Sequence, residues 1–107
     1  MTLDELFEKV NRKAADFVPD ESVPEAKILL NIEGPDGRKW LAAFEGGRGR
    51  LDVYAGEEPD VTVTVSGDTL IAIATRKLNT TMAFLTGKVK IDGDAELLSA
   101  LGRLWPN

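Results

Sequence analysis

Residues 78–105 read LNTTMAFLTGKVKIDGDAELLSALGRLW, three short elements with almost no spacer between them. Thr80 stands where a helix cap belongs, ahead of Met82, Phe84 and Leu85, because its hydroxyl can accept from the open amides of a first turn. Gly87 follows as the C-terminal stop. From Lys88 to Asp92 the chain alternates, with Val89 and Ile91 to one side and Lys88 and Lys90 to the other, which is a strand with one wet face. Asp94 then caps a last helix whose apolar stripe is Leu97, Leu98, Leu101, Leu104 and Trp105, and Pro106 blocks its continuation.

Working upstream, Val61, Val63 and Val65 alternate strictly with Thr62, Thr64 and Ser66, a fourth strand with one buried face. Ser66 or Asp68 can cap the helix that follows. That helix holds Leu70, Ile71, Ala72, Ile73 and Ala74 in succession, so its apolar surface wraps most of the way round and should be buried on more than one side. It reads as an element lying between a sheet and either another helix or some other apolar surface. From Ala26 to Glu45 the period is two: Ile28, Leu30 and Ile32 share a face, and Gly34-Pro35-Asp36-Gly37 turns the chain before Trp40, Ala42 and Phe44. Leu29 and Leu41 fall on the opposite face, as half-buried strand positions or, less commonly, a dimer contact. Gly46-Gly47-Arg48-Gly49 turns the chain again, Leu51 and Val53 mark a third strand, and Gly56-Glu57-Glu58-Pro59 breaks it.

The N-terminal Thr2-Leu3-Asp4-Glu5 has capping-box spacing. Leu3, Leu6, Phe7, Val10, Ala14 and Phe17 then recur at helical intervals until Pro19. A helix, three strands, a fourth strand, two short helices, a fifth strand and a last helix make an α+β order. There is no internal repeat and no sign of a second domain, so 1–107 is expected to fold as one.

Composition narrows the function. The 107 residues carry a formal net charge of -5 with a sequence pI near 4.7, opposite to the concentrated basic field that phosphate backbones require. Nucleic acid is therefore not an expected partner, and general attraction to anionic membranes is disfavoured. The chain has neither cysteine nor histidine. That removes disulfides, thiolate and imidazole metal ligands, and the usual base at neutral pH. No metal or cofactor is expected, and no enzymatic activity. The N-terminus lacks a secretory pattern, and no run approaches the roughly 20 apolar residues of a membrane span. Cytoplasmic location without stable membrane insertion is the expectation.

Other candidates have plainer readings. Gly46-Gly47-Arg48-Gly49-Arg50 lacks the Lys-Ser/Thr ending and the strand-to-helix setting of a phosphate loop, and a hairpin turn explains it better. Arg48 and Arg50 could meet a carboxylate or phosphate, though solvated charge is the simpler account. Asp92, Asp94 and Glu96 lack calcium-loop spacing. Asn79-Thr80-Thr81 is formally a glycosylation sequon, but its position is a helix entry. Glu33, Glu45 and Asp52 are not paired as acid and base by anything in the sequence. Gly102 weakens the last helix by about 1 kcal/mol relative to alanine, and close packing on the sheet is the favoured reason.

The order Lys77-Leu78-Asn79, an apolar turn ending in Ala83-Phe84, Gly87-Lys88 opening a strand, and Gly93-Asp94 opening a helix resembles the closing segment of the sterol-carrier-protein type 2 family. Asp60-Val61-Thr62 and Trp40 fit the same pattern, while the first twenty-five residues match only as an amphipathic helix. The resemblance is to a small stand-alone member of bacterial type. It implies a five-stranded, mostly antiparallel sheet covered on one face by helices, with an apolar tunnel that holds lipids and acyl chains. Leu70, Ile71, Ala74, Met82, Phe84, Leu85, Leu98, Leu101 and Trp105 are then the candidate ligand contacts, although periodicity alone reads each of them equally as plain core. Two functions follow: non-enzymatic binding or transfer of fatty acids, acyl conjugates or similar lipids, or an interaction module supporting a lipid-metabolising enzyme or complex. Two departures from the family pattern are Thr86, where many relatives carry Gln, and a chain ending Trp105-Pro106-Asn107 rather than in a peroxisomal Ser-Lys-Leu tail.

Overall fold

The computed structural model describes residues 1–16, 19–20, 22–102 and 104. Helix α1 (Leu3–Ala15) opens on a complete capping box. Thr2 Oγ1 accepts from the Glu5 amide at 3.1 Å, and Glu5 Oε1 accepts from the Thr2 amide at 3.2 Å. Strands β1 (Ala26–Glu33), β2 (Arg38–Glu45) and β3 (Arg48–Val53) form a meander, and β4 (Val61–Ser66) is followed by α2 (Gly67–Ala74) and α3 (Thr80–Leu85). Strand β5 (Val89–Gly93) leads through a short 3₁₀ turn, Ala95–Leu97, into α4 (Leu98–Leu101). The sheet order is β3-β2-β1-β4-β5, antiparallel at every pair except β1 with β4.

Register sorts the side chains into two faces. On the inner face Leu30 pairs with Trp40 and with Val63, and Ala42 pairs with Leu51. All of these are buried. Helix α1 lies over the β1–β3 half of this face: Leu6 and Val10 are fully buried, and Phe7 meets Trp40 with ring centroids 5.3 Å apart. Asn11 Oδ1 accepts from the Leu51 amide at 3.2 Å, which ties the helix to the meander. Helices α2, α3 and α4 gather on the β1-β4-β5 half.

The outer face carries Lys27, Ala43 and Arg50 in one row and Leu29 opposite Leu41 in the next. Leu29 is 9% exposed and Leu41 only 1%, which leaves Leu41 nothing to offer a second copy. The covering comes from the chain itself. Because β3 and β4 both run parallel to β1, residues 54–60 must travel back the length of the sheet. They are pinned at both ends: the Tyr54 amide donates to Lys39 O at 3.0 Å, the Asp60 amide to Lys27 O at 2.8 Å, and the Lys27 amide to Asp60 Oδ2 at 2.8 Å. Between the pins, Glu57 accepts from its own amide and from that of Ala55, which lowers its pKa, and the pull of Lys27 and Arg50 lowers it further. Both cations project from the outer face, so the crossover lies over the two leucines.

Local expectations held, with adjustments at two places. Ser66 caps α2, its Oγ accepting from the Thr69 amide at 3.1 Å. For α3 the cap is Asn79 rather than Thr80; its Oδ1 takes the Thr81 and Met82 amides at 2.8 and 3.4 Å. Adjacent Asn and Thr are both competent caps, and the asparagine, one residue earlier, wins. The last helix begins as the 3₁₀ turn, with Asp94 Oδ1 accepting from the Glu96 amide at 3.1 Å. Phe17 and Pro106 lie outside the described residues.

Gly93 ends β5 at φ 115°, and a Cβ there would sit 2.5 Å from Asp60 O and 2.9 Å from Val61 Cα. Gly56, at φ 102°, has nothing within 4 Å of that position. Gly56→Ala is expected to cost about 1 to 2 kcal/mol from backbone strain alone. Gly93→Ala should cost at least about 1 kcal/mol more, from the added clash. Urea midpoints at unchanged m-value measure both, and equal losses would mean that β5 does not press against the start of β4 in this way.

Candidate functional site

The inner face of β4 and β5 is the floor of a groove. Val63 and Val65 alternate inward on β4, Val89 and Ile91 do so on β5, and Leu30 adds the neighbouring position of β1. Walls rise on three sides: Leu70 and Ile73 from α2, Thr80 and Phe84 from α3, and Leu98 and Leu101 from α4, with Gly102 at its end. The half-open cavity between them is about 270 Å³. Apart from the Thr80 hydroxyl every lining side chain is apolar, and no charged residue contributes. Such a surface takes up apolar groups by releasing water and has almost no means of reading hydrogen-bond patterns.

The groove stays open because α3 packs so little. Its backbone is held: Ala83 O accepts from the Lys88 amide at 2.9 Å, and Thr86 Oγ1 donates to Met82 O at 2.8 Å. Its side chains are not. Ala83 is fully buried, but Met82, Phe84 and Leu85 are 53%, 51% and 69% exposed. A six-residue helix anchored by one methyl group presents its large apolar residues to solvent and to the groove.

The residues singled out from the sequence divide as follows. Leu70, Phe84, Leu98 and Leu101 come together on the groove walls. Ile71 and Ala74 belong to α2 and pack into the core outside the lining, and Met82 and Leu85 point away from it on α3. Trp105 lies outside the described residues. Gly102, expected to pack on the sheet, does not: a Cβ there would meet only Ser99 O, at 3.5 Å, and the residue borders the groove instead. Sequence reasoning missed Leu30, Val63, Val65, Ile73, Thr80, Val89 and Ile91. The strict alternation of β4 and β5 marked the four valine and isoleucine floor positions as buried, but not that they face a hollow.

Helix α2 meets the expectation for its apolar run. It packs against α1 and the sheet, and its Leu70–Ile73 side borders the groove. Among the described residues no group of His, Cys, Asp and Glu is arranged to hold a metal, and no polar or charged side chain is buried. No helix among them is long and apolar enough to cross a membrane.

The model of the SCP-2 sterol transfer family matches residues 21–105. Peroxisomal multifunctional enzyme A of Dictyostelium discoideum is 41% identical over 71% of this chain and 18% of its own length. Sterol carrier protein 2 of Gallus gallus is 32% identical over 67% of this chain and 14% of its own length. The chain therefore spans less than a fifth of either curated relative. Among solved structures, sterol carrier protein 2 like 2 of Aedes aegypti superposes with a TM-score of 0.74 at 27% identity, covering 92% of both chains.

The thin attachment of α3 has a measurable signature. Met82→Gln and Leu85→Gln should each change stability by less than about 0.5 kcal/mol, as surface substitutions do. Ala83→Leu should cost about 1 to 3 kcal/mol through overpacking. Thermal or urea unfolding of the three variants decides it, and a large loss from Leu85→Gln would mean that α3 packs more tightly than described.

Proposed function

This chain belongs to the SCP-2 sterol transfer family, and from that membership and the apolar groove we propose that it binds and carries fatty acids or acyl conjugates. The family is one of lipid-carrier domains, and 1–107 acts as one such domain. The acyl chain lies on the β4–β5 floor beneath α3, in contact with Leu70, Phe84, Leu98 and Leu101. Met82 and Leu85 meet the chain as it enters or leaves. The observation that carries this reading is the groove's composition: a sheet floor and three helical walls with a single hydroxyl and no charge.

The energetics are those of desolvation. Each methylene removed from water contributes about 0.8 kcal/mol, so twelve buried methylenes offer roughly 10 kcal/mol before losses. Association and chain ordering take back about 4 kcal/mol or more. That leaves an affinity of tens of micromolar at best, with selection by chain length and width rather than by functional group. A cavity of about 270 Å³ is just below the roughly 300 to 1,000 Å³ of pockets that enclose drug-sized ligands. A long chain therefore needs α3 to swing outward, which its single buried anchor permits.

An accessory role is the second reading. The chain aligns with a small part of a protein named as a multifunctional enzyme, and the same groove could hold a lipid beside separate catalytic domains. In that role the domain supports a protein partner of lipid metabolism through its apolar surface and need not bind free lipid, and in either setting it performs no chemistry itself.

Native mass spectrometry of the purified protein, followed by titration of the delipidated form with a fluorescent fatty acid, tests the carrier reading. Saturable binding that unlabelled lipids compete away is expected, and its absence would leave the accessory reading. Leu98→Trp fills the groove: ligand affinity should fall at least tenfold while the urea midpoint stays near that of the parent. Undiminished binding by a folded Leu98→Trp protein would remove this groove as the site.

A further inference from the structure

Just past the Thr75 cap of α2, the backbone of Arg76 turns into the left-handed region at φ 61°. Glycine or asparagine usually takes that position, because a Cβ is crowded there. Among the described residues Arg76 is the one non-glycine with positive φ. Its amide donates to Ile73 O at 3.1 Å, closing the helix end. Backbone strain of this kind is found disproportionately at ligand-binding and switch sites.

The surroundings indicate a ligand. Arg76 lines a second hollow of about 250 Å³ with Ile73, Leu78, Asn79 and Thr80. Ile73 and Thr80 also line the apolar groove, so the two hollows share a wall. Where the groove is apolar, this neighbour is polar. Asn79 Oδ1 is committed to the α3 amides, which leaves its Nδ2 as a donor, and the Thr80 hydroxyl stands beside it. Arg76 enters no ion pair among the described residues. Its chain neighbour Lys77 is a second cation, in a chain whose net charge is -5.

Resting on the carrier reading, we propose that this hollow is the headgroup subsite of the groove. Arg76, with Asn79 and Thr80, binds the anionic end of a lipid, carboxylate or phosphate, whose chain lies under α3. A guanidinium offers parallel donors to either oxyanion, and a charge-assisted pair of this kind is short and geometrically defined. The subsite gives the ligand a direction, headgroup by the α2–α3 turn and tail toward α4, which an apolar groove alone does not provide.

The experiment compares dodecanoic acid, methyl dodecanoate and dodecyl phosphate as competitors of a neutral fluorescent probe, on the parent chain and on two variants. Arg76→Gln removes the charge at similar size. Arg76→Gly removes it with a residue at ease at φ 61°, so a loss shared by both variants is not misfolding. On the parent, an anionic ligand should bind about tenfold or more tightly than the ester, the range of a charge-assisted hydrogen bond. Both variants should abolish that preference and leave ester affinity within about twofold. Preference for the acid alone identifies a carboxylate site, and preference for the phosphate alone a phosphate site. If the ester binds and the acid-to-ester ratio survives both substitutions, the subsite is wrong and the carrier stands. If none of the three binds, carrier and subsite fall together.

Discussion

The structure depends on one pairing, the parallel contact of β4 with β1. After three antiparallel strands the cheapest continuation would be another hairpin on the edge of β3. Instead the chain crosses behind the sheet and enters beside β1 in the same direction, fixed by the reciprocal bonds between Lys27 and Asp60. The consequences reach both faces. The return path uses up the outer face, so Leu29 and Leu41 are sealed by residues 54–60 without any helix. Every helix among the described residues is then left to the inner face, and β4 and β5 form a second half-sheet that α1, packed mainly on the meander, does not cover.

That division explains where the cavity lies. Helix α1 is long, strongly amphipathic and able to bury Leu6 and Val10 against the meander. The β4–β5 half is roofed by three short pieces joined by turns, and no one of them spans it. A sealed and empty void of about 270 Å³ would cost on the order of 6 kcal/mol at about 24 cal/mol per Å³. A small domain has roughly 5 to 15 kcal/mol in all, so a hollow of this size must stay open to solvent or be filled. Phe84, left half outside by the same shortfall in packing, borders the opening, and Met82 and Leu85 face solvent.

What the sequence made legible was local. Period-two alternation in Val61–Ser66, the capping box at Thr2–Glu5 and the Ser66 cap depend on residues within a few positions of one another. The α+β order, and through the family resemblance the one-sided helical cover, were legible as well. Two things were not. Whether Val63 or Val89 touches a filled core or a hollow depends on how well a helix far along the chain covers it, and alternation carries no information about that. The burial of Leu41 likewise depends on a crossover whose path follows from strand order, a long-range property. Candidate residues on α3 were chosen by apolar character, yet on so short a helix only Phe84 is directed at the groove while Met82 and Leu85 face solvent.

In the proposed carrier, the groove and the polar hollow beside it would divide the work of recognition. Desolvation is additive along a chain, at about 0.8 kcal/mol per methylene, and it is blind to direction: a tail can enter from either end with the same gain. A charge-assisted pair contributes only about 1.5 to 3 kcal/mol, the equivalent of two to four methylenes, but it acts at one point. In the proposed carrier, affinity would therefore be a property of the floor and walls, and orientation a property of the α2–α3 turn. A carrier needs both to differ in strength in this sense. The large undirected contribution keeps the ligand out of water, while the small directed one is weak enough to exchange when α3 opens and the tail begins to leave.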